Sequence, residues 1–245
     1  AEKTSGTSRL ITFTEANSGN AYRLNEVKLN SLESGKTYYY RVGDGENWSE
    51  VLSFTTAPAE KGAKTNFFIF GDIQTDNTAN LSAAIERVKA SDPKYAFGIQ
   101  TGDAIDNVTA FNNWRAYLTV LNAEKLAGID VMHTLGNHEY YGDATGSASD
   151  VLLNMKGRDY YSTEYGDVYI AVINFTADWE AALAWLIEDA RASSAAWKIL
   201  SVHQPPYFTN EGGGSARFNA IVPAAVDAAG IDVVFSGHDH AYART

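Results

Sequence analysis

The stretch AFGIQTGDAID, residues 96–106, decides the fold class of this chain. It begins as an apolar run typical of a buried strand and ends in a polar cluster that contains Asp103 and Asp106. Four further segments share this pattern: FFIFGDIQ (67–74), DVMHTLGNHE (130–139), ILSVHQPPY (199–207) and DVVFSGHDH (232–240). Stretches with helical spacing separate most of these strands, so the sequence predicts an α/β domain with a largely buried sheet.

Apolar residues at helical spacing predict the helices between these strands. The helical stretches are 79–92, 111–126, 179–192 and 216–230. The segment DYYSTEYG (159–166) directly precedes the strand DVYIAVINF (167–175), and we interpret the two as a hairpin. The sheet is therefore expected to be mixed rather than wholly parallel.

The first 58 residues have a different pattern, in which apolar and polar residues alternate. We expect antiparallel strands in RLITFTE (9–15), EVKLNSL (26–32), TYYYRVGDG (37–45) and SEVLSFTTAP (49–58). Leu32, Gly35 and Tyr38 resemble the tyrosine corner of β-sandwich modules. We predict a partial, fibronectin type III-like β-sandwich over 1–58, a linker over 59–65 and a catalytic domain over 66–245. About half of such a module is missing, which indicates a fragment of a longer protein.

Composition limits the classes of partner. The formal net charge is −11, which disfavours duplex nucleic acid because that binding depends on cations neutralising phosphates. The absence of cysteine excludes disulfides, thiolate metal sites and a cysteine nucleophile. We expect no membrane span, because no apolar run reaches about twenty residues. The first ten residues do not resemble a signal peptide, so we expect any such peptide to be absent or already removed.

The polar clusters contain the ligand types of a metal site. In open α/β sheets, ligands bind beyond the carboxyl ends of the strands, so the five clusters should face one crevice. Carboxylate, amide and imidazole groups without thiolates suit Mn, Fe, Zn or Mg-like ions. The clusters contain four of the five histidines: His138, His203, His238 and His240. His133 lies within a strand, and we interpret it as a packing residue.

The ordered motifs resemble those of the calcineurin-like metallophosphoesterases. They are GD (71–72), GDxxD (102–106), GNHE (136–139), VH (202–203) and GHDH (237–240). The β-strands ahead of them and the ending GHDHAYART are most similar to the purple acid phosphatase-like branch. The resemblance implies an αββα four-layer domain and a metal-dependent phosphoesterase. It also implies hydrolysis of a phosphomonoester by a metal-bound hydroxide at a dinuclear centre.

The resemblance further implies the role of each residue. Asp103 would bridge two divalent or trivalent ions (Fe, Mn or Zn), Asp72 and His240 would complete the first site, and Asn137, His203 and His238 the second. His138 would be the acid that acts on the leaving group, paired with Asp106. The alternative for Asp106 is a helix N-cap. Glu139 is interpreted as a supporting residue rather than a catalytic one.

Two positions depart from the family pattern. Gln74 stands where many members have histidine, and either its carbonyl oxygen or a water would replace that ligand. Alternatively, Gln74 only forms a hydrogen bond near the metals. Asp106 stands where purple acid phosphatases have an iron-binding tyrosine, so we expect no tyrosinate colour. Family members also continue beyond GHDHAY, which predicts that the catalytic domain is truncated at its C-terminus.

Substrate residues are predicted from their place in the loops that follow the strands. Tyr140, Tyr141 and Tyr207 are candidates for stacking on an organic group, and Arg217 for pairing with a phosphate oxygen. For each, the alternative is an ordinary surface or packing role. Two other functions stay open: a phosphodiesterase acting on nucleotides or phospholipids, and a cell-surface binding module with a degenerate metal site. We expect an extracellular or cell-surface protein that acts on a small phosphate ester, and the oligomeric state stays open.

Overall fold

The N-terminal part of the chain forms two antiparallel strand pairs. The computed structural model describes residues 5–12, 21–122, 126, 128–144, 147–209 and 216–245. The pairs are β1 (Thr7–Thr12) with β2 (Ala21–Glu26), and β3 (Thr37–Tyr40) with β4 (Leu52–Thr55). The Tyr38 hydroxyl accepts a hydrogen bond from the Glu33 N–H at 2.8 Å, as the tyrosine-corner resemblance predicts.

The predicted strand over 26–32 is wrong. The strand in this region is β2, which ends at Glu26. Beyond it, Ser31 has a φ of 58°, a left-handed conformation that is incompatible with an extended strand. The predicted strand over 9–15 is present as β1, and its residues 13–15 lie outside the described part of the chain.

The described residues beyond β4 form two sheets. The first is parallel, in the order β5 (Phe67–Phe70), β6 (Phe97–Gln100), β7 (Asp130–His133). The second has the order β11-β10-β9-β8, with β8 (Tyr160–Tyr165), β9 (Val168–Ile173), β10 (Trp197–Val202) and β11 (Val233–Phe235). β8 is antiparallel to β9 and the other pairs are parallel, so the predicted hairpin and mixed sheet are confirmed.

Four helices in the described part of the chain lie where the apolar spacing predicts them, and the short helix over 147–152 was not predicted. The helices are α1 (Ala79–Ala90), α2 (Phe111–Val120), α3 (Ser147–Leu152), α4 (Trp179–Ala192) and α5 (Ala216–Ala229). The bounds of α4 coincide with the prediction, and the Asp178 side chain caps it by accepting from the N–H groups of Glu180 and Ala181. α2 is shorter than predicted, and residues 123–125 lie outside the described part.

Alternating residues of the strands build the layers. Tyr169, Ala171 and Ile173 of β9 pack against α4 and α5, whereas Val168 and Ile170 pack between the two sheets. On the other side, β5 packs against α1 and α2 in a cluster that contains Phe68, Phe70, Leu81, Ile85 and Tyr117. The order is helices, sheet, sheet, helices, which confirms the predicted αββα four-layer domain. None of the described helices is long and apolar enough to span a bilayer.

Candidate metal centre

Backbone hydrogen bonds hold together the loops that follow the strands. The Asp72 N–H donates to the Gly102 carbonyl at 3.0 Å, and the Gly237 N–H donates to the His203 carbonyl at 2.9 Å. The first bond joins the loops after β5 and β6, and the second joins those after β10 and β11. A third bond, from the His238 N–H to Asp72 Oδ1, joins positions 166 residues apart, so the four loops meet at one end of the two sheets.

Four predicted ligands converge on one point. His203 Nε2 lies 3.0 Å from Asn137 Oδ1, 3.2 Å from Asp103 Oδ2 and 3.2 Å from His238 Nδ1. The ligand atoms of Asp103, His203 and His238 all lie within 4.8 Å of one another. His203 Nδ1 lies 2.9 Å from the Thr101 carbonyl oxygen, which accepts a hydrogen bond from the ring N–H, and this bond directs Nε2 into the cluster. Such a concentration of electron-pair donors fits a bound cation.

The backbone around the cluster is shaped to bring these side chains close together. Asp72, Asp103, His238 and His240 have φ values of 52°, 56°, 74° and 50°. The left-handed conformation costs a non-glycine residue about 1–2 kcal/mol, and such strain is typical of functional sites. Gly237 permits a close approach, because a Cβ there would collide with the Asp72 carboxylate. The donor set and its backbone therefore fit a metal centre.

The predicted first-site residues lie beside this cluster. Asp72 Oδ1 accepts a hydrogen bond from the His238 N–H at 2.8 Å and lies 3.5 Å from His240 Nε2. Gln74 Nε2 donates to Asp103 Oδ2 at 2.8 Å. The hydrogen-bonding alternative for Gln74 is thus the one present in the structure, and its carbonyl as a ligand stays a prediction.

The two carboxylates differ electrostatically. Burial raises the pKa of Asp72 above its ordinary value, and the nearby His203 offsets only part of this effect. Burial also acts to raise the pKa of Asp103, but the hydrogen bond and charge of His203 outweigh it and hold that pKa below its ordinary value. The surroundings of Asp103 therefore favour its ionised form, which is the form that binds a metal.

His138 lies at the edge of the cluster. Its Nε2 is 3.8 Å from Asp103 Oδ2, and its backbone N–H donates to Asp103 Oδ1 at 3.0 Å. His138 Nδ1 is 2.7 Å from the Asp106 carbonyl oxygen and 3.5 Å from the Asp106 carboxylate. The shorter contact with Asp106 is therefore through its backbone. The helix-cap alternative is wrong, because the residue at the N-cap of α2 is Ala110.

Two residues support the cluster: Glu139, which the sequence already indicated as a supporting residue, and Tyr141, which it indicated only as a candidate for contact with the substrate. The Tyr141 hydroxyl accepts from Asn137 Nδ2 at 2.8 Å, which turns Asn137 Oδ1 toward the cluster. The Tyr141 ring also lies 4.5 Å from that of His138, centroid to centroid. The buried carboxylate of Glu139 accepts hydrogen bonds from the backbone of Asp103, Ala104 and Gly136. No sequence pattern reports such contacts; only the proximity of both residues to the GNHE motif hints at them.

The predicted substrate residues have mixed surroundings. Arg217 Nη2 donates to Glu180 Oε1 at 2.9 Å, in an exposed ion pair between α5 and α4. Tyr140 is partly buried and forms a hydrogen bond with Thr176. Tyr207 is exposed in the loop after β10. The structure thus gives Arg217 and Tyr140 protein partners, and the alternative of a surface or packing role describes their contacts.

Comparisons with known proteins agree with this architecture. Residues 65–242 match the calcineurin-like phosphoesterase family model, and residues 1–56 match the purple acid phosphatase N-terminal domain. Purple acid phosphatase 21 of Arabidopsis thaliana is 26% identical over 265 residues, covering 99% of this chain and 57% of that protein. Purple acid phosphatase 22 of the same plant is 28% identical over 246 residues, covering 91% and 54%.

A solved structure shares the fold. Purple acid phosphatase PPD1 from yellow lupin (Lupinus luteus) seeds superposes with a TM-score of 0.74 at 15% identity, covering 95% of this chain and 50% of that one. The chain spans about half the length of the curated relatives that it matches. Because the family model covers residues 65–242, which is most of the sequence, the chain belongs to the calcineurin-like phosphoesterase family.

Proposed function

We propose that this chain is the catalytic part of a metal-dependent phosphomonoesterase. The observation that carries the proposal is the convergence of Asp103, Asn137 and His238 on His203 Nε2. The proposed ligands of two ions are Asp72, Asp103, Asn137, His203, His238 and His240, with Gln74 as a further candidate. Membership of the calcineurin-like phosphoesterase family and similarity to purple acid phosphatases support it.

The proposed ions are Fe, Mn or Zn, because the donors are oxygen and imidazole atoms. When bound, a pair of such ions supplies Lewis-acid stabilisation of the phosphoryl charge and lowers the pKa of water. Asp103 is the proposed shared ligand because of its central place. Its Oδ2 lies within 3.2 Å of His203 Nε2 and accepts from Gln74, while its Oδ1 accepts from the His138 N–H.

His138 is the proposed general acid. Its Nδ1 donates to the Asp106 carbonyl, which fixes the ring and leaves Nε2 on the side of the cluster. As the phosphorus–oxygen bond breaks, a proton on Nε2 would pass to the leaving oxygen, so that an alcohol departs rather than an alkoxide. The Asp103 carboxylate lies 3.8 Å from Nε2, so the proposed acid is next to the proposed shared ligand.

The proposed substrate is a small phosphate monoester rather than a nucleic acid. A net charge of −11 repels polyanions, so attraction for phosphate has to come from the metal site. Tyr207, exposed in the loop after β10, stays the candidate for contact with the organic group.

We also propose that the protein acts outside the cell, and that residues 1–58 and 66–245 are separate domains.

The test compares two synthetic substrates, p-nitrophenyl phosphate and bis(p-nitrophenyl) phosphate, with the metal-loaded protein. We expect the monoester to be the better substrate. Asp103→Asn should reduce kcat/KM more than about 100-fold, because it removes the shared ligand rather than one of its supports. Glu180→Gln also removes one negative charge, but from an exposed ion pair, and this variant should keep wild-type activity. Preference for the diester would favour a phosphodiesterase, and no hydrolysis of either would favour the binding-module alternative.

A further inference from the structure

Glu139 is a buried carboxylate that binds the backbone of two loops. Its Oε2 accepts from the Asp103 N–H at 2.9 Å and from the Gly136 N–H at 2.7 Å, and its Oε1 accepts from the Ala104 N–H at 2.8 Å. The residue is 0% exposed. Within the described part of the chain, no lysine or arginine forms an ion pair with it.

Burying the Glu139 carboxylate lowers the stability of the fold, which indicates that the residue has a role other than stabilisation. Removing an ionised carboxylate from water costs several kcal/mol, which a cationic partner or a full set of hydrogen bonds has to offset. Here three backbone amides offset part of that cost, and burial still raises the pKa of Glu139 to about 7. All three belong to the loops after β6 and β7, and these loops carry Asp103 and Asn137.

We propose that Glu139 is a positioning residue, which fixes the loops after β6 and β7 against each other so that Asp103 and Asn137 reach the same cation. This inference rests on the proposed function, since it assigns Glu139 to the same metal site. Glu139 touches neither the proposed substrate nor the reacting atoms. It acts through the backbone of one ligand, Asp103, and through Gly136, the neighbour of the other.

We call the hydrogen bonds of the Glu139 carboxylate with the Asp103, Ala104 and Gly136 amides the anchor. The geometry of Asp103 shows how the anchor orients a ligand. Its left-handed backbone, with a φ of 56°, accompanies an N–H that donates to Glu139 and a carboxylate that lies 3.2 Å from His203 Nε2. A second bond, from the Ser149 hydroxyl to the Glu139 carbonyl at 3.0 Å, ties the His138–Tyr140 turn to α3. The backbone of Glu139 is thus held by α3, and its side chain binds the loops after β6 and β7.

A glutamine in this place cannot satisfy all three amides. Its side chain has one acceptor oxygen and one donor nitrogen, so at least one of the three backbone N–H groups would face another N–H. Glu139→Gln therefore removes the anchor while keeping the size of the side chain. The loops would then hold Asp103 and Asn137 less firmly, and the loss would appear in metal binding.

The experiment titrates the metal-free full chain with cobalt(II) and records the d–d absorption at saturation. Wild type should bind cobalt, and Glu139→Gln should bind it about 10–100-fold more weakly, the usual cost of losing a residue that orients metal ligands. Its d–d spectrum at saturation should also differ, because the ligand geometry has changed. General destabilisation alone would leave the spectrum at saturation unaltered.

Two matched variants separate positioning from other effects. Glu180→Gln makes the same charge change on the exposed surface of α4, and Val222→Ala weakens the buried core on α5. Both should keep wild-type cobalt affinity and spectrum. A Glu139→Gln protein with wild-type affinity and spectrum would overturn the inference.

The remaining outcomes are also decisive. If Glu139→Gln does not fold, hydrogen exchange of the metal-free wild type decides: slow exchange at amides 103, 104 and 136 supports the anchor, and exchange as fast as in open loops overturns it. If wild type binds no cobalt, the proposed function fails and the inference fails with it. If wild type binds cobalt but does not hydrolyse phosphate esters, only the proposed activity fails, and the variant data still decide the role of Glu139.

Discussion

The largely buried histidine of β7 makes the stability of this protein dependent on pH. His133 Nε2 lies 2.9 Å from the Tyr117 hydroxyl of α2, and the Tyr161 hydroxyl of β8 donates to the His133 carbonyl. Burial lowers the pKa of His133 from 6.5 to about 4, although a hydrogen bond with the Val131 backbone raises it. The Arg158 guanidinium lies over the Tyr161 ring, 4.7 Å from its centroid.

The sign and size of the effect follow from the two pKa values. Between pH 6.5 and about pH 4 the unfolded chain binds a proton on His133 that the folded protein does not, so stability falls as the pH falls. The complete effect is about 3 kcal/mol, and about 2 kcal/mol of it should be lost between pH 7.5 and pH 5. Below about pH 4 both states are protonated and this contribution no longer changes.

The assay is urea unfolding of wild type and His133→Gln at pH 7.5, 6 and 5. Glutamine retains an acceptor for the Tyr117 hydroxyl but does not titrate, and comparing the two proteins cancels the effects of the other ionisable groups. Relative to His133→Gln, wild type should lose about 2 kcal/mol of unfolding free energy from pH 7.5 to pH 5. Parallel pH dependence of the two proteins would refute a neutral, buried His133.

Three further predictions concern the metal centre. His138→Gln should slow hydrolysis of p-nitrophenyl phosphate by about 100-fold or more at unchanged metal content, and loss of metal in this variant would refute its role as a non-ligand acid. Tyr141→Phe removes the acceptor that orients Asn137, so a cobalt titration should show metal affinity lower by about 10-fold, and wild-type affinity would refute that role. The iron-loaded protein should show no purple absorption band, because Asp106 occupies the position of the iron-binding tyrosine, three residues after Asp103. A strong visible band would contradict this assignment.

Local sequence patterns predicted most of the elements correctly. Helix α4 occupies the predicted 179–192 because its apolar spacing and the capping Asp178 agree. The hairpin of β8 and β9 also follows from local alternation. The strand expected over 26–32 failed, because apolar alternation alone does not reveal the left-handed backbone at Ser31.

The site was predictable in its membership but not in its internal contacts. The pattern of a strand followed by a polar cluster gathers Asp103, Asn137, His203 and His238, which the fold does bring together. The contacts of Glu139 with Asp103 and Ala104 join positions 36 and 35 residues apart, and they depend on the path of the loops. For the same reason, the short contact of His138 with the Asp106 carbonyl rather than its carboxylate could not be predicted.

The most direct test of the metal centre is the number of metal ions per chain. The protein would be dialysed separately against Mn, Fe and Zn and then analysed for its elements, with Asp103→Asn treated in parallel. The dinuclear centre predicts about two ions per wild-type chain and fewer in the variant. A wild-type chain that holds one ion or none, or a variant that holds as many ions as wild type, would contradict the proposed centre.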